Sequence, residues 1–404
     1  MREVGAALNV QAVLEGSVRR EGNAMRITAQ LADVDTGYQL WSGEYDREQQ
    51  NLFAVEEELA RSIVQTLRPQ LSPRDAPATM TSTTRDPVAH DAYLQGRYFW
   101  NKRTADALKT AITYFQRAID RDPQYALAYV GIADATSILC EYGSEPTTNV
   151  LPRAKAAALK ALEIEPRLAE AHASLGLISQ YDFDWKAAES ETRRAVELKP
   201  EYPTAHHWYS LVLVSLGRTA EAVTEAERAR QLDPTSLVIN NMLTTALVAA
   251  RQYDRAIASA RKTLELDPGF LLGRQWLAKA YLGKEMYAEA ITELEKIRDS
   301  SLAVPGRYAS ELGFAYAMGG HPEKARELLV DLERRSLKEY VLPTIPAIIY
   351  MGLGDKERAF AWFEKGVQDK AWKMREMNVY PLFDSLRSDP RFQSLMDRMN
   401  VPRN

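Results

Sequence analysis

The chain has 404 residues, 46% hydrophobic and 26% charged, a foldable balance rather than a disordered one. Its formal net charge of −4 gives no electrostatic footprint for nucleic acid, so no nucleic-acid partner is expected. A single cysteine, Cys140, excludes an intramolecular disulfide and any multi-cysteine metal site.

Residues 1–72 read as a small α+β module. A short helix is expected at about 2–8, followed by alternating stretches: Val13, Glu15 and Ser17 against Leu14, Gly16 and Val18, then Met25, Ile27, Ala29 and Leu31. Glu21-Gly22-Asn23 is a hairpin signal, Asp35-Thr36-Gly37 a second turn, and residues 38–45 a third strand. Phe53, Val55, Leu59, Ile63, Val64 and Leu67 keep a helical period that Pro69 ends. Three strands are near the minimum for an independent sheet. Residues 73–90 lose periodicity and gain Pro, Ser and Thr, as a linker does. The first ten residues lack the basic flank and apolar core of a signal peptide, and no run approaches the roughly 20 apolar residues of a spanning helix. A soluble chain, cytoplasmic as it stands, is the expectation.

From Asp91 the helical period returns. Pro166, Pro200, Pro234 and Pro268 lie 34 residues apart, and Ala188, Ala222, Ala256 and Ala290 keep the same step. A fixed period of that length marks a helix–turn–helix unit stacked on copies of itself. With the prolines at position 32, the unit from Pro203 places Tyr209 and Ser210 at 7 and 8, Leu213 at 11, Gly217 at 15, Ala222 at 20 and Ala229 at 27. This resembles the tetratricopeptide repeat, with its bulky residue at 4, Leu-Gly or Leu-Ala at 7–8, Tyr at 11, Ala at 20 and 27, and Pro at 32. The two helices of a unit cross closely only where side chains are small, and the proline is read as starting the next helix, where its missing N–H costs nothing.

Leu175-Gly176, Ala188, Ala195 and Pro200 make another clean unit. Leu277-Ala278, Tyr281, Ala290 and Leu294 follow, with Leu302 in place of proline. Leu312-Gly313, Tyr316, Gly320, Ala325 and Leu329 carry one extra residue, and Ala347, Tyr350, Gly354, Ala359 and Phe363 form a last unit. Upstream, Gly96, Ala111, Phe115, Ala118 and Pro123 form a first unit with three extra residues in its turn. Ile132-Ala133, Ala154, Ala161 and Pro166 form a second, with about nine extra residues around SILCEYGSEPTT. The expectation is a mainly α protein: a right-handed α-solenoid of about eight units over 91–369 behind the α+β module, with 370–404 as a helical cap.

The N-terminal stretch VLEGSVRREGNAMRITAQLADVDTGYQLWSGEYDRE, followed by LFAVEEELARSIVQTL, is similar to the amino-terminal domain of the TolB translocation protein. It resembles a segment that precedes such repeats in large bacterial signalling proteins. Relatives of that kind carry a nucleotide cyclase, a serine/threonine kinase or a winged-helix domain upstream, often with a membrane span between. The resemblance implies that the module's opening βα unit and the output domain are absent from this chain.

The motifs of an enzyme are missing: no GxxxxGK loop, no strand-linked GxGxxG, and no HExxH, GxSxG, HRD or DFG. No catalysis and no cofactor are expected. His172 and His206 fall at position 4 of adjacent units; two histidines without a third ligand are core or groove-edge residues rather than a metal site. The run Tyr93, Tyr98, Phe99, Trp100 is read as the bulky face that starts the array. Concave positions give His207 and Leu211, Asn241 and Thr245, Gln275 and Lys279, Arg307, Ser310 and Phe314. Asn, Gln and Lys can hydrogen-bond a peptide backbone or carboxylate, and Phe offers an apolar pocket. The primary expectation is therefore a scaffold binding a protein or peptide in the groove at His207, Asn241, Thr245, Gln275, Lys279, Arg307 and Phe314. The alternative is the regulatory part of a split or truncated signalling protein.

Overall fold

The structure is a computed structural model that describes residues 10–21, 24–34, 36, 38–48, 62–63, 66, 84–142, 145–300 and 305–402. The expected helix at 2–8, the two turn tips and most of the helix at 52–67 lie outside the described residues, as does most of the expected linker. The chain divides into two compact units, one of residues 1–94 with 117–125, the other of 95–116 with 126–404.

In the first unit β1 (Ala12–Glu21), β2 (Ala24–Asp33) and β3 (Gln39–Glu48) form an antiparallel sheet in the order β1-β2-β3. Ile27 faces Val18 on one side and Tyr45 on the other, and a bulge between Leu31 and Ala32 shifts the β2–β3 register. The period of two separates the faces. Met25, Ala29, Leu31 and Tyr45 are buried, while Arg26 on the opposite face ion-pairs with Asp46 at 2.7 Å. Gly16 stands where any side chain would strike the Thr28 carbonyl, so the two strands approach too closely there for a Cβ.

Among the described residues sixteen helices then follow as eight consecutive pairs: α1 (Pro87–Asn101) and α2 (Ala105–Arg121), α3 (Ala126–Leu139) and α4 (Thr147–Ile164), α5 (Ala169–Tyr181) and α6 (Trp185–Leu198), α7 (Pro203–Ser215) and α8 (Thr219–Leu232), α9 (Leu237–Ala249) and α10 (Tyr253–Leu266), α11 (Leu271–Gly283) and α12 (Tyr287–Arg298), α13 (Pro305–Met318) and α14 (Pro322–Ser336), α15 (Thr344–Gly352) and α16 (Lys356–Gln368). From α5 to α12 the first helix of each pair packs on its own partner and on the first helix of the next pair. Ala188, Ala222, Ala256 and Ala290 are each fully buried at the crossings. A methyl group at Gly176 would overlap Thr192 of α6, so the helices approach as closely as the small residues permit. α1 begins at Pro87, within the stretch expected as linker.

Two details correct the reading of the repeat. The prolines do not start the next helix: α4 is capped at Glu165 and α5 begins at Ala169, which leaves Pro166 in the turn, and Pro200, Pro234 and Pro268 do the same. Their ring terminates one helix, and their carbonyl accepts a hydrogen bond from the position-4 side chain of the next: His206 at 2.8 Å to Pro200, Asn240 at 2.7 Å to Pro234, Arg274 at 2.8 Å to Pro268. The first unit's three extra residues are not in its turn. Arg103 has the left-handed φ of 52° that Phe183 (63°) and Gly217 (81°) show two residues before their second helices; Leu108 takes position 20, and α2 runs to 17 residues against 14 in α6. Phe115 fills the added turn, against Gly96 and Gly131.

Candidate functional site

The inner faces of α7, α9 and α11 carry expected concave residues. His207, Asn241, Thr245, Gln275 and Lys279 all line one cleft. Phe314 is half-buried and lies outside it, against Gly352 of α15; the side chain of Arg307 is outside the described residues. The wall is not open. Asn241, Thr245, Gln275 and Lys279 are each less than 10% exposed because residues 370–400 run back over it.

That segment comprises two 3-10 turns (Trp372–Glu376 and Pro381–Leu386) and α17 (Pro390–Arg398). It was expected as a cap, and it also occupies the groove. Its anchors reach far along the sequence: the Trp185 indole donates to the Met399 carbonyl at 2.7 Å, Asn378 to the Ser215 carbonyl at 3.0 Å, and Arg251 pairs with Asp384 at 2.7 Å. Lys370 pairs with Asp182, and the Tyr380 ring packs at 5.3 Å against that of Trp276.

At the centre lies a buried charge network. Lys279 Nζ meets Glu376 at 2.8 Å and Glu311 at 3.3 Å, while Lys373 Nζ meets Glu311 at 2.8 Å and the Ser310 hydroxyl at 2.6 Å. Burial would push the Glu311 carboxyl up, but the Lys373 and Lys279 ammonium groups outweigh it and hold it down at about 2. Burial draws the Lys373 ammonium down, and Glu311 opposes that. Two lysines and two glutamates balance, which is the condition for keeping charges out of water.

At the other end, Arg375 donates to Glu141 at 2.9 Å, and Tyr181 donates to the same carboxylate at 2.5 Å. The Arg375 guanidinium also lies over the Tyr181 ring at 4.8 Å. His207 is pushed down to about 3, by burial first and then by the Arg103 cation, so its imidazole is neutral. Arg103 stacks on Trp100 at 3.7 Å. Burial pushes Asp134 up to about 6, against Arg97 at 3.4 Å and the Ser174 hydroxyl at 2.5 Å, which hold it down.

The array closes on itself at this point. α13 reaches the turn at Cys140–Tyr142, within the stretch where the repeat register slips by about nine residues. His172 and His206 sit apart from the cleft. Each bridges a proline carbonyl and a carboxylate on the following helix, His172 to Glu191 at 2.6 Å and His206 to Glu225 at 2.5 Å. Among the described residues no group of three metal-ligating side chains converges.

With that geometry in hand the comparisons are direct. A sequence profile described as Tetratricopeptide repeat matches residues 247–301. Human IFIT1, solved as a dimer with m7Gppp-AAAA, superposes with a TM-score of 0.53 at 13% identity, covering 79% of this chain and 79% of that one. The fold is a tetratricopeptide-repeat solenoid. A thermophilic TPR protein from Thermus thermophilus is 21% identical with a TM-score of 0.40, covering 48% of this chain and 99% of its own. The curated relative that matches is the putative adenylate cyclase 3 of Rhizobium meliloti (strain 1021), 32% identical over 179 residues. That match covers 44% of this chain and 30% of the relative's length. No helix among the described residues is long and apolar enough to cross a membrane.

Five of the seven expected residues line the cleft of this tetratricopeptide-repeat fold, and the segment that roofs it was not expected there. Trp372, Lys373, Arg375 and Glu376 carry no repeat register. The one signal they offered was the density of charged and aromatic residues in WKMRE directly after the last unit.

Proposed function

We propose that the chain is a non-catalytic interaction module whose concave wall receives a protein or peptide segment at His207, Asn241, Thr245, Gln275, Lys279, Arg307 and Phe314. One observation carries the reading: the wall holds a chain segment, its own. Lys279 grips the Glu376 carboxylate and the Ser215 carbonyl takes Asn378, which are the contacts a partner peptide with an acidic side chain would make. The residues are preorganised by the helix stack, so little ordering entropy is lost on binding. A partner would compete with residues 372–378 for the wall.

The test is a quantitative pull-down with immobilised wild type, Lys279→Ala and Glu376→Ala. Loss of captured protein with the first and gain with the second is expected. Identical capture by all three overturns the groove reading. The non-catalytic part has its own test, since conversion of ATP to a cyclic nucleotide or to ADP by the purified chain contradicts it.

A second reading draws on the likeness to the putative adenylate cyclase. In it the chain is the sensory or regulatory part of a bacterial signalling protein, with a cyclase, a serine/threonine kinase or a winged-helix regulator as output, and the sheet of β1–β3 is the TolB-like module. An output domain encoded immediately upstream, whose activity changes when this chain is added, supports it; unchanged activity counts against it.

A further inference from the structure

Between the wall and the overlying 3-10 turn a cavity of about 100 Å³ remains. Trp208, Trp276 and Trp372 line it together with Arg103, Arg375 and Asn241. Its charges do not balance. Lys279 is matched by Glu376, and Arg375 by Glu141 through one nitrogen. Arg103 has no carboxylate at ion-pairing distance among the described residues. Three polar atoms on these lining residues also lack a hydrogen-bond partner: Arg103 Nε, Arg375 Nη1 and Asn241 Oδ1. An enclosed cation and an unmade hydrogen bond each cost free energy that a matching ligand removes. The His207 imidazole, kept neutral beneath Arg103 and Arg375, adds no competing charge.

We propose that this cavity is a binding site for a compact organic carboxylate that carries a hydroxyl or amino donor. The carboxylate would take the open positions on Arg103 and Arg375, and the donor would satisfy Asn241. A planar two-oxygen group matches guanidinium forks, and three indoles favour an organic body over a hydrated inorganic ion. Size narrows the class. A dry cavity of about 150 Å³ holds the six carbons of benzene, so this one, at about two-thirds of that volume, suits a ligand of no more than about six non-hydrogen atoms. Such a ligand touches both the wall and the returning segment, so its binding would hold the segment in place. The inference stands apart from the peptide-groove reading: a small ligand can bind whether or not a partner displaces the tail.

The experiment is calorimetric titration of the full chain with glycolate, lactate and 2-hydroxybutyrate, alongside inorganic phosphate and neutral propane-1,2-diol. Saturable binding of at least one hydroxy acid below about 1 mM, at least about tenfold weaker in Arg103→Met, supports the site. The circular dichroism of Arg103→Met is read first; Asn241→Leu, which places apolar bulk in the cavity, is the second variant and should also weaken binding. The proposal is overturned if no hydroxy acid binds, if phosphate or the diol binds as well as the acids, or if both variants bind as wild type does. Unchanged pull-down capture by Lys279→Ala alongside hydroxy-acid binding would remove the groove reading alone.

Discussion

His172, His206, Asn240 and Arg274 stand 34 residues apart and perform the same task with three different side chains. Each donates to the proline carbonyl of the preceding turn, and the charged or ring-bearing ones also reach a carboxylate on the next helix. The task needs a donor of the right reach, so the repeat keeps the geometry and not the residue. That is why the two histidines could be placed from sequence but their partners could not. A second ladder shows the same economy: φ is positive at Phe183, Gly217, Arg251, Glu285, Gly320 and Gly354. A side chain in that region costs about 1–2 kcal/mol, which glycine avoids. Glu285→Gly, at an exposed position, should therefore raise stability by about 0.5–1 kcal/mol net of the added unfolded-state entropy, read as the urea midpoint. A lower midpoint would show that the turn is not strained. Asp134 supplies a pH prediction. Burial raises its folded-state pKa from 3.8 to about 6, so the folded chain retains a proton that the unfolded chain has released. Its stabilising contribution is complete below about pH 4 and is lost as pH rises through about 6. In Asp134→Asn the decline of unfolding free energy across that interval should flatten; an identical slope would remove Asp134 as its source.

At the scale of elements, helices were legible because their evidence repeats. Small residues at positions 8, 20 and 27 recur in register, and eight imperfect copies agree better than one good one. The returning segment had no such support: its partners lie about one to two hundred residues away, and a stretch met once has no period to read. Its ion pairs make it sensitive to single changes. Glu311→Gln leaves the Lys373 ammonium buried at 1% exposure without a full charge partner, a loss that typically costs about 3–5 kcal/mol. Equal stability of wild type and variant by urea unfolding would mean that Ser310 and water suffice. Glu376→Lys sets like charge against Lys279 and should loosen the 3-10 turn without touching the helix stack. Trypsin should then cut after Lys373 and Arg375, both buried in the native chain, faster than in wild type. Unaltered cleavage at those two sites would argue against charge as the fastener.

Within the solenoid unit, the inner face is expected to receive a partner but is already covered: α13 reaches the turn of the second repeat and residues 370–400 lie over the wall. The about nine extra residues that looked like a blemish in the register contain the seam, the turn Cys140–Tyr142 that α13 meets. Cys140 is 2% exposed there, its thiol donating to the Ser137 carbonyl at 3.1 Å. It reports on closure: its reaction with a thiol reagent should be slow in wild type and accelerated by Glu376→Lys. If both rates match, the seam opens independently of the tail.

The seam also sets an order of events during synthesis. Repeats that touch only their neighbours can fold as each one leaves the ribosome, since their contacts are local. Trp185 must wait for Met399, and Glu141 for Arg375, until more than two hundred further residues have been made. Through that interval the nascent chain displays tryptophans that the finished protein conceals. Residues 370–400 thus complete the interior: a chain released before they are made would carry a helix stack with its inner face still open to other chains.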